Sequence, residues 1–369
     1  MCLKNSIFAM LILYILVVSF GGAAYAEKVG QVRTPPTDRK VVTRILAWGE
    51  NNVRQLGSVS PLPGGRRPVW ATAVEEVLQG FDVVQIDGGP YRTCMLRSDK
   101  TVWCWGTGGL GKVQGLPPIQ SVEMGGGYTF CAKAEDATTW CWEREESTAH
   151  KVVPPSIPGL VDFYHGVVDV CALTEQKKMW CWGERYGDVP IELSFEKTLK
   201  KMVVGGNETC AIDGDDVAWC WAASRQPHPH KVFDQKITVE EIATGNYRDC
   251  FLTTSGDVWC SKRADMQGVE EMGQMQISKG KPLDGIVKLA GAGGGFCALR
   301  KDGAVWCWDG LEGDPLAGGN GAPSRVKSTD AVCNIGYVAD IGVGLGTAYA
   351  IVKGTDEDFR KLETECITD

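Results

Sequence analysis

Two stretches of the chain, VKLAGAGGGFCALRKDGAVWCW (residues 287–308) and SVEMGGGYTFCAKAEDATTWCW (residues 121–142), follow the same order. Each runs from an apolar segment through glycines to a first cysteine, a polar turn and a Trp-Cys-Trp with the second cysteine. Nine residues separate the two cysteines, and successive first cysteines lie 37 to 47 residues apart, so one unit is repeated along the chain. The six pairs are Cys94 and Cys104, Cys131 and Cys141, Cys171 and Cys181, Cys210 and Cys220, Cys250 and Cys260, and Cys297 and Cys307.

The pattern of each unit predicts a β-hairpin. Turn residues such as Lys301-Asp302-Gly303 lie midway between two short runs rich in Val, Leu and Trp. Pairing the strands about that midpoint puts the two cysteines opposite each other, where a disulfide can form after slight adjustment. Each bridge closes a short loop and contributes roughly 2–3 kcal/mol at most. The spacing, the lack of Cys-x-x-Cys and a total of four His argue against a metal site, and no cofactor is expected.

A seventh unit is divided between the two ends of the chain. In VADIGVGLGTAYAIVKG (residues 338–354), Tyr349 stands where the first cysteine belongs, and no Trp-Cys-Trp follows. Near the N-terminus, ILAWG (residues 45–49) aligns with VWCWG (residues 102–106), so Ala47 stands at the second cysteine position. Each half lacks the cysteine that the other would need. The N-terminal strand is therefore predicted to complete the C-terminal unit and close a ring, which leaves no free sheet edge.

These units predict an all-β fold, a seven-bladed β-propeller over residues 41–369 with its seventh blade completed by residues 41–57. The two remaining cysteines of the mature chain, Cys333 and Cys366, are expected to bridge each other. Twelve of the thirteen Trp lie beside the second cysteine position or its equivalent at Trp48. They alternate away from the cysteines, which favours packing between blades over an aromatic ligand cage.

The first 26 residues have the pattern of a signal peptide. Lys4 precedes an apolar run over residues 7–20, and Ala24-Tyr25-Ala26 is a small-x-small cleavage site. The run is short for a membrane anchor, and no basic cluster follows it. Residues 27–40 form a linker in this interpretation. We expect cleavage after Ala26 and a secreted or periplasmic product with 14 cysteines, an even number that fits disulfides, and with no membrane span.

The repeats resemble the regulator of chromosome condensation repeat family. The segment WGENNVRQLG (residues 48–57) is close to that family's WGxNxxGQLG, with Arg54 in place of a glycine, and CALxxDGxVWCWG is similar to its ALxxDGxVxxWG. The resemblance spans roughly residues 41–353 and implies a seven-bladed propeller closed by its two termini. The family's usual His two residues before the Ala-Leu step is absent. Its equivalents here are Arg92, Thr129, Asp169, Glu208 and Arg248.

The resemblance implies a binding protein, but not the role of the family's founding members. Those bind chromatin and exchange nucleotide on a small GTPase, whereas this chain has a signal peptide pattern, paired cysteines and a net charge of −8. Nucleic acid is therefore not an expected partner. The chain is also similar in size, export and repeat length to a secreted bacterial β-lactamase-inhibitor propeller. That likeness implies non-catalytic binding across one face, and it identifies no target.

The residues before each first cysteine are predicted to form a ring of turns on one face. Tyr and Arg side chains dominate many protein interfaces, and turns face solvent. We therefore expect a monomeric propeller whose partner is an exported or cell-surface protein, with inhibition of that partner as one form of the binding. The expected contact residues are Tyr91, Arg92, Tyr128, Phe130, Tyr247, Arg248 and Phe296.

Catalysis finds little support in the sequence. None of the four His recurs at a blade position, and there is neither a Gly-x-Ser-x-Gly elbow nor an HExxH motif. The glycine runs at residues 125–127 and 293–295 resemble phosphate loops, but no Lys-Ser/Thr follows them. Carboxylates are abundant, so a carbohydrate-acting enzyme or lectin-like protein with acidic residues near the central channel is the alternative hypothesis. A structural component of the cell envelope is a third.

Overall fold

The computed structural model describes most of the chain from residue 41 onward. The described ranges are 41–49, 53–57, 65–78, 80–89, 91–124, 129–143, 146–151, 157, 160–166, 169–205, 208–222, 229–245, 248–261, 272–278, 280–293, 295–309, 324–325, 338–344 and 346–365. The expected signal peptide, the linker over residues 27–40, and the Cys333–Cys366 bridge lie outside these residues.

Seven four-stranded antiparallel sheets follow one another along the chain, and each sheet is one blade. Blades 1 to 3 are β3 (Val83–Gly88), β4 (Arg92–Arg97), β5 (Val102–Gly106) and β6 (Gly111–Lys112); β7 (Ile119–Met124), β8 (Thr129–Ala134), β9 (Thr139–Glu143) and β10 (His150–Lys151); and β11 (Leu160–His165), β12 (Asp169–Thr174), β13 (Met179–Gly183) and β14 (Gly187–Leu193). Blades 4 and 5 are β15 (Leu199–Val204), β16 (Glu208–Asp213), β17 (Ala218–Ala222) and β18 (His230–Lys231); and β19 (Val239–Thr244), β20 (Asp249–Thr253), β21 (Val258–Ser261) and β22 (Met272–Gln274).

Blade 5 is followed by a small two-stranded ribbon, β23 (Gln276–Ser278) and β24 (Lys281–Pro282). Blade 6 consists of β25 (Ile286–Ala292), β26 (Gly295–Arg300), β27 (Val305–Asp309) and β28 (Ser324–Arg325). Blade 7 joins the two ends of the described chain, because its strand order is β29 (Val338–Gly344), β30 (Thr347–Gly354), β1 (Val42–Gly49) and β2 (Gly65–Trp70). The predicted closure is thereby confirmed.

The seven innermost strands form a closed ring. Each of β3, β7, β11, β15, β19, β25 and β29 contacts the next in this order, and β29 contacts β3. The blades are twisted sheets arranged around a common axis, and their innermost strands line a central channel. The fold is therefore a seven-bladed β-propeller.

All six predicted cysteine pairs are disulfides in the structure. In each blade the two cysteines face each other in the register of the second and third strands, as with Cys171 and Cys181. The closure continues this register, since Ala47 of β1 lies opposite Tyr349 of β30. Blade 7 therefore has the geometry of the other blades without their disulfide.

In blades 1 to 6, one face of the blade carries its cysteines and the other face carries its Trp side chains. The disulfide of blade 1 packs in one buried cluster with Phe130 and Trp142 of blade 2. The disulfide of blade 5 packs in the same way against Phe296 and Trp308 of blade 6. The expected packing of Trp between blades is thus seen, and the hydrophobic core is a series of such contacts around the ring.

The hairpin turns between the second and third strands share one left-handed residue. Its φ lies between 60° and 86° in six blades, at Lys100, Ala137, Lys177, Asp216, Gly256 and Gly303. Its backbone N–H donates to the carbonyl three residues earlier, for example from Ala137 to Ala134 at 3.0 Å. A type I turn followed by a left-handed residue is a frequent hairpin connection. Only two of the six blades use glycine here, although glycine adopts this conformation at the lowest cost.

Among the described residues, two helices lie outside the blades, α1 (Thr72–Leu78) and α2 (Asp356–Glu365). Thr355 caps α2, because its Oγ1 accepts from the N–H of Asp358 at 3.3 Å and the Asp358 carboxylate accepts from the Thr355 N–H at 2.8 Å. Phe359 is 3% exposed and packs into the core between blades 6 and 7. Within the described ranges, neither helix has the length and apolar character needed to cross a membrane.

Candidate functional site

The turn face is the end of the ring at which the first and second strands of each blade are joined. Because the strands are antiparallel, the loops between third and fourth strands lie at the same end. In four blades the first turn is closed by the same backbone hydrogen bond, from a glycine N–H to the carbonyl three residues later. The donor and acceptor pairs are Gly89 and Arg92, Gly166 and Asp169, Gly205 and Glu208, and Gly245 and Arg248, at 2.7 to 2.9 Å. Of the residues between these pairs, the structure describes Tyr91.

Tyr91 occupies one of these positions and is partly exposed. The loop that follows the third strand fixes its backbone, since the N–H of Thr107 donates to the Tyr91 carbonyl at 2.9 Å. Gly106 makes this approach possible. Its φ is +104°, and a Cβ at this position would lie 2.4 Å from the Tyr91 carbonyl oxygen. The glycine of the Trp-Gly signature therefore serves to bring two loops of the turn face together.

Arg92 is not an exposed contact residue, because it is 3% exposed and lies in β4. Its Nη1 donates to the carbonyl of Glu146, in the loop after the third strand of blade 2, at 2.7 Å. In blade 3, Asp169 lies at the equivalent strand position and binds Arg185 through both backbone and side chain, at 3.0 and 3.1 Å. Arg92 and Asp169 thus brace the loops of the turn face from below.

Phe130 and Phe296 are core residues. Each is 1% exposed and stacks on a Trp of its own blade, with ring centroids 5.9 Å apart in both the Phe130–Trp142 and Phe296–Trp308 pairs. Both lie in second strands, β8 and β26, and not in the preceding turns. A side chain this deeply buried offers no area to a partner, so the expectation that they form part of an exposed face is corrected. Arg248 is partly exposed, whereas Tyr128 and Tyr247 lie outside the described residues.

Charged side chains of the innermost strands line the central channel. A cavity of about 200 Å³ on the axis is bounded by five blades and includes Asp87, Lys288 and Asp340. The Nζ of Lys288 lies 3.5 Å from Glu241 Oε1 and 3.8 Å from Asp340 Oδ1. Burial raises the pKa of Asp340 despite the attraction of Lys288. The channel therefore carries mutually compensating charges contributed by neighbouring blades.

Other polar side chains of the innermost strands clamp one blade to the next. Gln85 of β3 donates to the carbonyl of Val122 at 2.6 Å and accepts from its N–H at 3.0 Å. Glu241 of β19 accepts from the N–H of Leu289 at 2.7 Å. Val122 and Leu289 occupy the same position in their blades, opposite Ala132 and Ala298 respectively. These bonds satisfy backbone groups at the inner sheet edge, so part of the polar lining is structural.

A larger cavity of about 310 Å³ lies between blade 2 and β11 of blade 3. It is lined by Gln120, Ser121, Glu123, Cys131, Ala132, Lys133, Thr139, Asp162, Phe163 and His165. Lys133 and Asp162 form an ion pair across it. The Nε2 atom of His165 lies 3.1 Å from Cys131 Sγ and 3.8 Å from Cys141 Sγ. This cavity therefore brings four ionisable groups to one disulfide.

Glu123 has the most shifted carboxyl group in this cavity. Glu123 is exposed to solvent as a residue and shares this cavity with Lys133 and Asp162. Desolvation together with repulsion from Asp87 and Asp162 raises the pKa of Glu123 to about 7. The raised pKa brings the titration of Glu123 towards neutral pH. His165 has a pKa lowered to about 4 by burial, so its imidazole is neutral under the same conditions.

His165 belongs to no recognisable sequence motif, and this cavity was not predicted. His165 lies opposite Val170 in blade 3, and the equivalent residues of the other blades are Gly88, Met124, Val204, Thr244, Gly291 and Val343. Alignment of the seven repeats therefore shows an ionisable side chain at this position in blade 3 and uncharged residues in the other six blades, which marks His165 as a candidate functional residue. Its target, the disulfide of the preceding blade, becomes visible only once the blades are assembled.

The comparisons with known proteins agree with this architecture. The family model for the Regulator of chromosome condensation (RCC1) repeat matches residues 83–112, the same residues that form blade 1. No curated protein matches the sequence. The chain is similar to the crystal structure of Prp20p from Saccharomyces cerevisiae, described with its binding properties to Gsp1p and histones. Identity is 16% and the TM-score 0.68, over 91% of this chain and 96% of that one.

Two further structures show the same fold. Yeast RCC1 (Prp20), solved bound to Kap60, is 16% identical with a TM-score of 0.66 over 92% of this chain and 94% of that one. Human WBSCR16 is 14% identical with a TM-score of 0.63 over 85% of this chain and all of its own. One blade thus matches the family's repeat, and the other blades share that blade's strand register. The chain is a seven-bladed β-propeller whose first blade matches the RCC1 repeat model.

Proposed function

We propose that this protein is an exported, non-catalytic propeller that binds another protein through its turn face. An RCC1-like propeller suggests a protein-interaction or regulatory role. The observation that carries the finer proposal is the presentation of Tyr91. It is a partly exposed aromatic side chain held on a turn that backbone hydrogen bonds close on both sides. A preorganised aromatic residue gives contact area without a large loss of conformational entropy on binding.

The remaining turn face supports the same proposal. Four closed turns share one geometry, and Arg92 and Asp169 brace the neighbouring loops from beneath. In the sequence, Tyr247 lies between Gly245 and Arg248, and Tyr128 lies in the corresponding segment of blade 2. The proposed face therefore consists of Tyr91, Tyr128, Tyr247 and Arg248. Phe130, Phe296 and Arg92 support it from the core.

Export fits the disulfides, because such bridges persist in oxidising compartments. We infer a secreted or periplasmic protein whose partner is another exported or cell-surface protein. The resemblance to the secreted β-lactamase-inhibitor propeller makes inhibition of an exported enzyme one form that this binding takes. The cavities described here, about 200 and 310 Å³, lie below or at the lower end of the range for small-molecule sites. Their size supports recognition on the face over recognition in the channel.

The test is affinity capture from the secreted and periplasmic fractions of the source organism. The oxidised protein beginning at Glu27 serves as bait beside a variant with Tyr91, Tyr128 and Tyr247 all changed to Ala. The matched control is Gln176→Ala, an exposed residue in a hairpin turn at the opposite end of the ring. We expect a protein that the natural chain and the control retain and the triple variant loses, with Kd raised about 30-fold or more. Equal retention by all three baits would remove the proposed face.

A second candidate function rests on Glu123. A carboxyl group with a pKa of about 7 is suited to general acid catalysis at neutral pH, and Asp87 and Asp162 lie near enough to influence it. This observation favours a carbohydrate-acting enzyme or lectin-like protein using the channel. Its test is a screen of glycans for binding and hydrolysis, with the natural chain compared to Glu123→Gln. Activity lost in that variant while Tyr91→Ala keeps it would favour this candidate over the face.

A further inference from the structure

The disulfide of blade 2 differs from the other five in what covers it. The cysteines of blades 1, 3, 4, 5 and 6 are 0 to 2% exposed and belong to buried clusters with the following blade. Cys131 is 3% exposed, Cys141 is partly exposed, and Cys131 lines the 310 Å³ cavity. A reductant of small size therefore has access to this disulfide, whereas the others require the blades to separate.

His165 makes the same disulfide chemically distinct. The ligand atoms of Cys131, Cys141 and His165 all lie within 4.8 Å of one another. Two sulfur donors and one imidazole nitrogen form a set typical of zinc, whose fourth position is held by water or a further ligand. Glu123 lies opposite Cys131 in the sheet and lines the same cavity, so it offers an oxygen donor there. These atoms come from two blades that the cation would join.

We propose that Cys131, Cys141 and His165 form a binding site for Zn²⁺ or a similar divalent cation once the blade 2 disulfide is reduced. Thiol–disulfide exchange with an external dithiol breaks the Sγ–Sγ bond, gives two thiols and leaves the dithiol as its disulfide. Binding of the cation then releases the two thiol protons to solvent and forms two metal–thiolate bonds and one metal–imidazole bond. This site lies between blades and is independent of the proposed turn face.

The required rearrangement is small. A tetrahedral zinc site with usual bond lengths places its sulfurs about 3.8 Å apart and each sulfur about 3.5 Å from the imidazole nitrogen. The present distances from His165 Nε2 to the two sulfurs are 3.1 and 3.8 Å, which bracket the second value. The strands hold the two Cα atoms 4.1 Å apart, so side-chain rotation alone can separate the sulfurs. The backbone of blade 2 is thus already compatible with both states.

Blade 4 provides the matched control. Glu208, Cys210 and Cys220 are the other grouping among the described residues whose three ligand atoms come this close. Both of these cysteines belong to a buried cluster with Phe251 of blade 5, so reductant and metal have no comparable access. The proposal therefore predicts metal binding in blade 2 and none in blade 4.

The first experiment tests selective reduction. The native oxidised protein is treated with a limiting amount of a water-soluble phosphine, free thiols are alkylated, and the labelled cysteines are located by peptide mass spectrometry. In this assay the phosphine takes the oxygen of a water molecule and the disulfide becomes two thiols. We expect Cys131 and Cys141 to be labelled at least about tenfold faster than any other pair. Uniform labelling of all pairs, or earlier labelling of Cys210 and Cys220, would overturn the proposal.

The second experiment measures metal binding by the selectively reduced, still folded protein. Co²⁺ is added as a probe, and Zn²⁺ then competes for the same site. We expect one Co²⁺ per chain, a thiolate-to-cobalt charge-transfer band, and its loss on addition of Zn²⁺. His165→Gln, with Cys131 and Cys141 intact and equally reduced, should weaken binding by more than about a hundredfold, since even residues behind a ligand contribute tenfold to a hundredfold. Glu208→Gln should change nothing.

Two results would contradict the site. One is the absence of a charge-transfer band in reduced, folded protein. The other is equal affinity in the natural chain and His165→Gln, which would mean that the thiols bind the metal without the imidazole. Circular dichroism of each variant before the titration verifies that the propeller is intact, and a variant that does not fold is replaced by His165→Asn.

Discussion

Replacing Tyr349 by Phe should weaken the closure of the ring without disturbing its packing. Tyr349 is fully buried, and its hydroxyl contacts Thr93 Oγ1 of blade 1. The same hydroxyl lies 3.1 Å from the carbonyl of Gln55, just after β1, and 3.1 Å from Thr347 Oγ1. One phenolic group therefore links the C-terminal strand, the N-terminal segment and the first blade. Phe keeps the ring of the side chain and removes only these bonds.

The magnitude follows from the partners that remain. A net hydrogen bond contributes about 0.5–1.5 kcal/mol, and the hydroxyl makes two to three of them. The Gln55 carbonyl keeps Trp105 Nε1 as a donor at 2.8 Å, and Thr93 Oγ1 keeps that carbonyl at 3.3 Å, so neither group is left without a partner. We therefore expect the free energy of unfolding to fall by about 1–2 kcal/mol.

The assay is urea unfolding followed by Trp fluorescence, for the natural chain, Tyr349→Phe, Thr93→Val and the double variant. The two side chains contact each other, so the double-mutant cycle should give a coupling energy of at least about 0.5 kcal/mol. Tyr186→Phe is the matched control. Its hydroxyl has longer contacts, 3.3 Å to Trp221 Nε1 and 3.5 Å to Thr209 Oγ1, between blades that are adjacent in sequence. Because Trp221 is fully buried and its Nε1 loses this acceptor, we expect a loss of about 1–3 kcal/mol there, but no coupling to Thr93→Val.

Two outcomes would refute this reasoning. If Tyr349→Phe unfolds within about 0.3 kcal/mol of the natural chain, the hydroxyl does not contribute to closure. If the two single changes add without coupling, the Thr93 contact carries no net energy. Coupling of Tyr186→Phe to Thr93→Val as large as that of Tyr349→Phe to Thr93→Val would mean that the coupling does not report the contact at the closure.

Three further changes test other parts of the fold. Gly49→Ala should lower the free energy of unfolding by at least about 2 kcal/mol, because φ is +108° and the new Cβ would lie 2.2 Å from the Gly346 carbonyl oxygen. The control Gly80→Ala has φ +85° and no atom within 4 Å of the new Cβ, so its loss should be about 1 kcal/mol. Equal losses in the two variants would contradict the steric argument. Ala137→Gly should raise stability by about 0.5–1 kcal/mol by relieving φ of 64°, and a lower melting temperature would show the residue to be unstrained. Burial raises the pKa of Asp213, but hydrogen bonds from Trp219, Val217 and Asp215 outweigh this effect and leave the pKa below 3.8. Asp213→Asn should therefore lower the free energy of unfolding by about 1–3 kcal/mol at neutral pH, and this difference should disappear as the pH falls from 3.8 through the folded pKa. A difference that does not depend on pH would exclude the carboxylate as its cause.

The blade architecture could be predicted because its signals are local. In six blades the second bridged cysteine follows the first by ten positions, which leaves a single register for the hairpin between them. The closure was accessible for the same reason, since Ala47 and Tyr349 occupy the two cysteine positions of a divided unit and lie opposite each other. A repeat lets one hairpin be interpreted from six others, even where its halves are far apart in sequence.

The contact face was predicted less well, because the strands begin earlier than the glycine steps suggest. Thr129 and Gly295 already belong to second strands, so the Phe that follows each of them points to the Trp side of its blade. Strict alternation from the cysteine would have revealed this, since the residue next to an inward cysteine faces the other side of the sheet. Arg92 was misplaced for a related reason, since it opens β4 and is covered by a loop of blade 2.

The cavity at the blade 2 disulfide could not be predicted from one unit alone. Its donors, Cys131 and His165, belong to consecutive repeats, and their approach depends on how one blade stacks on the next. Five other blades fill the corresponding space with apolar side chains. Packing between blades depends on residues of different repeats, so the pattern within one repeat does not predict it.

Every described disulfide joins two cysteines that are neighbours in chain order, ten residues apart. A nascent chain that oxidises as it emerges therefore meets the native partner of each thiol first, and the bridges form in sequence without reshuffling. The ring closes late, because β1 with Ala47 pairs with β30 only after Tyr349, about 300 residues further along the chain, has been synthesised. Biosynthesis thus separates into early, local stapling and one late docking event. A chain truncated before β30 would still form its disulfides but could not close the ring.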